Sequence, residues 1–118
     1  MAFERVAQRS ELPKRGGLRI SAQGIAIALF PSQGGDGGDD EIYALEDRCP
    51  HQGVPLSDGE LRGRTIECRA HGWCFDLASG FRPGFEDGFP IPRFPVRIDD
   101  DGSIWIDVAE PLNLRRRR

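Results

Sequence analysis

"GIAIALF", residues 24–30, alternates Ile25, Ile27 and Leu29 with Ala26, Ala28 and Phe30, so both faces of an extended segment would be apolar. The run is too short for a convincing helix and reads as a strand covered on both sides. It predicts a buried strand in a mostly β domain. Upstream, "FERVA" reads as a short strand, and "SELPKRGG" supplies turn residues before a further strand, "LRI". Downstream, "PSQGGDGGDD" (31–40) separates the central strand from "EIYAL" as a long flexible hairpin loop. Its glycines do not make a phosphate loop, because no Lys-Ser/Thr pair or helix pattern follows and its aspartates repel phosphate. At the other end, "FPVRI", a "DDDG" turn and "SIWIDV" form a hairpin in which Ile104, Ile106 and Val108 alternate with Ser103, Trp105 and Asp107.

The bulk properties agree. Fifteen glycines and nine prolines in 118 residues suit many turns and short strands, and the length suits one domain, 1–118, without an internal linker or repeat. No apolar run approaches the roughly 18 residues that span a bilayer, and "MAFERVAQRS" lacks the apolar stretch of a signal peptide, so a cytoplasmic location without membrane contact is expected. The net charge of -3 conceals an asymmetry, since Arg115 to Arg118 are all basic and the remainder sets 12 basic residues against 19 acidic ones. An acidic body with a basic tail at about 112–118, expected to be disordered, argues against a nucleic-acid-binding face.

Chemistry concentrates in "CPHQG" (49–53) and "CRAHGWCF" (68–75), which contain both histidines and all three cysteines of the chain. An odd cysteine count in a reducing compartment favours metal ligation over a disulfide framework. Written as ligands, Cys49-x-His51 and Cys68-x-x-His71 are separated by 16 residues. A mononuclear zinc site usually leaves at least two residues between neighbouring ligands, which makes the Cys49/His51 pair awkward without excluding it. A two-iron cluster relaxes the constraint, since the two residues of each stretch can then reach different irons.

C-x-H, a spacer of about 16, then C-x-x-H resembles the signature of the Rieske [2Fe-2S] proteins, and the likeness runs from about Leu45 to Phe85. The resemblance implies antiparallel β sheets as a base, with a smaller cluster-binding subdomain inserted at about 45–84. It also implies that Cys49 and Cys68 bind one iron as thiolates and His51 and His71 bind the other through imidazole nitrogens.

High-potential Rieske proteins, which the chain also resembles, carry an extra cysteine in each loop, joined as a disulfide. The matching positions here hold Val54 and Ala70. Those proteins also place a serine two residues and a tyrosine four residues beyond the second histidine, where this chain has Trp73 and Phe75. Without the hydroxyl donors that stabilise a reduced cluster, the expected potential is at the low end of the Rieske range, about -150 mV. Each ligating imidazole would keep one ring N–H, giving a pH-independent potential near neutrality and proton-coupled reduction at alkaline pH.

Cys74 is expected to be a small, partly buried thiol rather than a further ligand, and Trp73 reads equally as core packing or as part of a docking surface. An exposed histidine edge would be ringed by Gln52, Gly53, Val54, Pro55, Gly72, Trp73, Pro83 and Phe85. Glu46, Asp47, Asp58, Glu60 and Glu67 could steer a basic partner, or be no more than a solvated face.

With both histidines engaged, no nucleophile with a paired base remains, so a catalytic pocket is not expected. The resemblance implies a monomeric one-electron carrier, not itself an enzyme, between a flavin-containing ferredoxin reductase using NAD(P)H and a terminal oxygenase acting on aromatic compounds. The alternatives are a Rieske-type subunit of another complex, such as a nitrite reductase, and a zinc-stabilised interaction module.

Overall fold

A computed structural model of the chain describes residues 3–14, 16–31, 42–49, 53–69, 72–84, 90–109 and 111–113. Among them are ten strands: β1 (Glu4–Gln8), β2 (Leu18–Ala22), β3 (Ile25–Pro31), β4 (Ile42–Glu46), β5 (Glu60–Arg62), β6 (Thr65–Glu67), β7 (Cys74–Asp76), β8 (Arg93–Phe94), β9 (Val96–Ile98) and β10 (Ser103–Ile106). Single 3-10 turns occupy Arg9–Glu11 and Leu56–Asp58, and no described segment forms an α-helix. The all-β expectation holds, as do the strands read from "FERVA", "LRI", "GIAIALF", "EIYAL" and the terminal hairpin. Of the expected Gly/Asp loop at 31–40, Pro31 ends β3 and the rest lies outside the described set, but β3 and β4 pair antiparallel on either side of it.

The strands form three antiparallel sheets, ordered β1-β10-β9, β2-β3-β4-β8 and β5-β6-β7. The four-stranded sheet is the wall between two cores. Because successive side chains of a strand point to opposite faces, β3 sends Ile27 and Leu29 into one core and Ala28 and Phe30 into the other, and all four are fully buried. β4 divides in the same way, Ile42 and Ala44 against Tyr43 and Leu45. This explains the two-sided apolar pattern of "GIAIALF".

On the first side the wall, with Phe94 of β8, meets Ala7, Ile104 and Ile106, which close the base of the molecule. On the second it meets Leu56, Leu61, Ile66, Phe75, Leu77 and Ile91, together with Cys49 and Cys68. Each fully buried Leu, Ile or Phe contributes about 1.5–3 kcal/mol of transfer free energy, offset by the entropy of ordering the chain. The small β5-β6-β7 sheet, spanning residues 60–76, rests on this second core and flanks the Cys/His stretches.

Two features of the base bear on the sequence reading. In the β9–β10 turn the Ser103 backbone N–H donates to Asp101 Oδ1 at 3.0 Å. That bond, with help from the Ser103 hydroxyl, holds the exposed Asp101 carboxyl below its ordinary pKa. At the C-terminal end, Leu112 N–H donates to the Arg93 carbonyl at 2.6 Å. The Asn113 amide accepts from Arg93 N–H and donates to the Ser79 and Ile91 carbonyls. The expected tail at about 112–118 therefore loses its first two residues to the folded body, and residues 114–118 lie outside the described set.

Candidate metal centre

Cys49 and Cys68 each open a loop, and the two loops are closed by the same pair of backbone hydrogen bonds. In the first, Cys49 N–H donates to the Val54 carbonyl at 2.8 Å and Gly53 N–H donates to the Cys49 carbonyl at 2.7 Å. In the second, Cys68 N–H donates to the Trp73 carbonyl at 2.6 Å and Gly72 N–H to the Cys68 carbonyl at 3.0 Å. Both frames span cysteine to the fifth residue beyond it, and both turn back through a glycine in the left-handed region, Gly53 at φ +74° and Gly72 at φ +71°. An L side chain is strained there, which is why glycine recurs four residues after each cysteine.

Both cysteines are 1% exposed and belong to the same apolar core cluster, with Val54 and Trp73 packed against it. No disulfide joins Cys49, Cys68 or Cys74. His51 and His71, within the same loops, lie outside the described residues, as do Pro50, Gln52 and Ala70. The described side chains by themselves bring together no group of three or more potential metal ligands.

Different devices brace the two frames. Before the first loop, the Asp47 carboxylate is buried and accepts from the Ser57 backbone N–H at 2.7 Å, the Ser57 hydroxyl at 2.6 Å and the Arg19 guanidinium at 3.0 Å. Its backbone N–H also donates to the Ala26 carbonyl on β3 at 2.9 Å. Asp47 thus ties Cys49 to the central sheet and to the 3-10 turn beyond the loop. Before the second loop, Glu67 pairs with Arg62 at 3.0 Å, side chains that remain 32% and 62% exposed, so solvent screens the pair. Gly59 joins the two halves. A Cβ there would lie 2.1 Å from the Glu67 carbonyl oxygen, so only glycine lets the chain leaving the 3-10 turn pass so close to the residue before Cys68.

This geometry narrows the set of acids that could form a steering or a solvated face. Asp47 is 3% exposed and committed to internal bonds. Glu60 and Glu67 both pair with Arg62, and Glu46 is half-buried on β4, leaving Asp58 as an exposed acid among those five. Of the two roles considered for Trp73, the structure shows the core packing. Its half-buried ring packs on the core with Phe75 at 6.5 Å between centroids, and its outer face carries the Arg82 guanidinium 3.8 Å from the ring centroid. Cys74 is half-buried, its Sγ 3.8 Å from the Gly72 carbonyl. Arg19, Ser57, Gly59 and Arg82 escaped the sequence reading because they act across 28, 10, 8 and 9 residues on Asp47, Asp47, Glu67 and Trp73, and no local pattern announces such pairs.

Two buried sulfur donors on matched loops, enclosed by aliphatic and aromatic side chains, fit an iron-sulfur cluster, which calls for soft thiolate ligands in a largely dry setting. Comparison with known proteins agrees. The chain is 34% identical over 99 residues to the ferredoxin component of the naphthalene 1,2-dioxygenase system of Pseudomonas aeruginosa, covering 84% of this chain and 88% of that one. It is 31% identical over 114 residues to the oxidoreductase NdmD of Pseudomonas putida, but spans only 18% of that protein's length. The structure of the Sphingomonas yanoikuyae B1 ferredoxin superposes with a TM-score of 0.74 at 29% identity, covering 90% of this chain and 98% of that one. The prosthetic group is one Rieske-type [2Fe-2S] cluster rather than zinc. The model of the Rieske [2Fe-2S] domain matches residues 2–94, most of both cores and both loops, and the chain belongs to that family.

Proposed function

We propose that this protein is a one-electron carrier, taking electrons from a flavin-containing NAD(P)H reductase and delivering them to the terminal component of an aromatic-ring oxygenase. The observation that supports this most directly is the pair of matched loops, which hold two cysteines in one buried core and carry a histidine each. Likeness to a dioxygenase ferredoxin over nearly the whole of both chains points the same way.

In this reading Cys49 and Cys68 bind one iron of the cluster and His51 and His71 the other. The cluster, when bound, supplies reversible uptake of a single electron. The chain provides the setting for that step. Buried Cys49 and Cys68 sit behind Val54 and Trp73, which keep water from the sulfur side. The positions that could offer hydroxyls hold Trp73 and Phe75, and Phe75 is 3% exposed in the core. A reduced, more negative centre is therefore stabilised less, supporting a potential near -150 mV, about the low end for such centres. That range suits supply to an oxygenase better than quinol oxidation. We place the protein in the cytoplasm as a monomer, and no described helix is long and apolar enough to cross a membrane.

The decisive test is spectroscopic and then functional. Mössbauer spectra of the iron-loaded protein should show two inequivalent ferric sites, one sulfur-rich and one nitrogen-bound. Two equivalent sites, or a cluster that survives His51→Ala or His71→Ala, would overturn the ligand assignment. NADH-driven product formation with a reductase and an aromatic-ring oxygenase should depend on this protein, and independence of it would overturn the carrier role.

A further inference from the structure

The two cysteine loops carry a matched feature that the backbone frame does not require. Arg48 immediately precedes Cys49, Arg69 immediately follows Cys68, and both side chains are exposed. Neither guanidinium makes an ion pair or hydrogen bond among the described residues. Other arginines on this half of the molecule are engaged: Arg19 with Asp47, Arg62 with Glu60 and Glu67, Arg64 with Asp76, and Arg82 over Trp73. Arg19 and Arg64 each match one acid, whereas Arg62 meets Glu60 and Glu67 with a single charge. Among the described residues, Arg48 and Arg69 are thus the cations of this region that its own acids do not engage, in a chain that carries -3 overall.

An unpaired exposed charge gains little within its own fold, since solvent screens it. Across an interface it sets approach, orientation and partner choice. Arg48 also lies over the first loop, its Nε 3.8 Å from where a Cβ on Gly53 would stand, which holds the charge close to the cluster-bearing backbone. We propose that Arg48 and Arg69 form the charged contact of a docking surface for an acidic partner protein, opposite in sign to the chain's net charge. This rests on the carrier role proposed above. Charge complementarity selects the partner: a redox protein that presents carboxylates around its own electron-entry point.

The sign of a salt effect tests it. The iron-loaded protein is titrated with cytochrome b5, an acidic probe, and with cytochrome c, a basic one, while binding is followed by NMR shift changes and electron transfer by stopped flow. Binding to cytochrome b5 should weaken as salt rises from about 10 to about 300 mM, because the Debye length contracts. Arg48→Gln with Arg69→Gln should weaken it about fivefold at low salt and flatten the dependence, while iron content and cluster spectrum stay unchanged. Arg48→Lys with Arg69→Lys should restore it. Preference for cytochrome c, or a glutamine pair that leaves the salt dependence unchanged, would overturn the surface. Salt-sensitive binding through these arginines, with NADH-driven oxygenase turnover independent of the protein, would keep the surface and reject the carrier role.

Discussion

The loops that begin at Cys49 and Cys68 share a closing frame and differ in what it carries. Each closes with a bond from the cysteine N–H to the fifth residue beyond and a return bond from a left-handed glycine. Their contents, Pro-His-Gln and Arg-Ala-His, place the histidine at different offsets from the cysteine. The outer support differs too, a buried aspartate against a solvent-screened glutamate. Duplicating the frame gives two sulfurs equivalent burial. The histidine offset and the unequal bracing are where the two halves acquire separate identities.

The severest way to break this equivalence is to remove a sulfur. Cys49→Ala or Cys68→Ala should each abolish the cluster, seen as loss of iron and of the visible spectrum, because neither half holds it alone. The base core, built on Ala7, Phe94, Ile104 and Ile106, contains no proposed ligand and should keep its hydrogen-exchange protection better than the second core. Uniform loss of protection through both would show that the wall between them does not separate their stabilities.

Gly59→Ala comes next, because it pushes the two halves apart rather than damaging one. A methyl group 2.1 Å from the Glu67 carbonyl oxygen forces backbone movement and should cost at least about 1–3 kcal/mol, measured by urea unfolding. It should also lower cluster occupancy.

The unequal bracing gives a sharper contrast. Asp47→Ala leaves the Ser57 N–H without its acceptor, removes two further charge-assisted bonds and should destabilise by about 2–3 kcal/mol. Glu67→Ala removes a screened pair and should cost about 0.5 kcal/mol or less. Equal losses in parallel urea titrations would mean that the two supports are interchangeable.

The smallest effect belongs at the opposite end and serves as the reference for both loops. Because Asp101 has a lowered pKa in the fold, its ionised form stabilises the protein above the ordinary carboxyl pKa, and this contribution is lost as pH falls through the lower folded value. Asp101→Asn should slightly reduce stability at neutral pH and narrow the difference from wild type under strongly acidic conditions. Thermal melts across that acidic range check the sign, and the cluster spectrum should not respond.

Much of the molecule was legible in residue order. The two-sided strand "GIAIALF" was readable because burial on both faces demands apolar residues at successive positions. The cysteine and histidine stretches stood out because the chain spends its scarce thiols and imidazoles there. The acidic neighbourhood was only partly readable because adjacency along the chain does not reveal exposure: Asp47 lies in the same short stretch as Arg48, yet one is buried and the other solvent-facing.

By itself the sequence determined the all-β class, the two-sided buried strand and the cysteine and histidine types from which a ligand set can be drawn, since periodicity and side-chain chemistry are local properties. The tertiary structure alone decided that one sheet serves two cores, that Gly59 couples the loops, that Asp47 is structural, and that Arg48 and Arg69 stand exposed without an ion pair among the described residues. Each of these depends on which distant residues share a surface or a cavity, and folding settles that through packing and pairing across the chain.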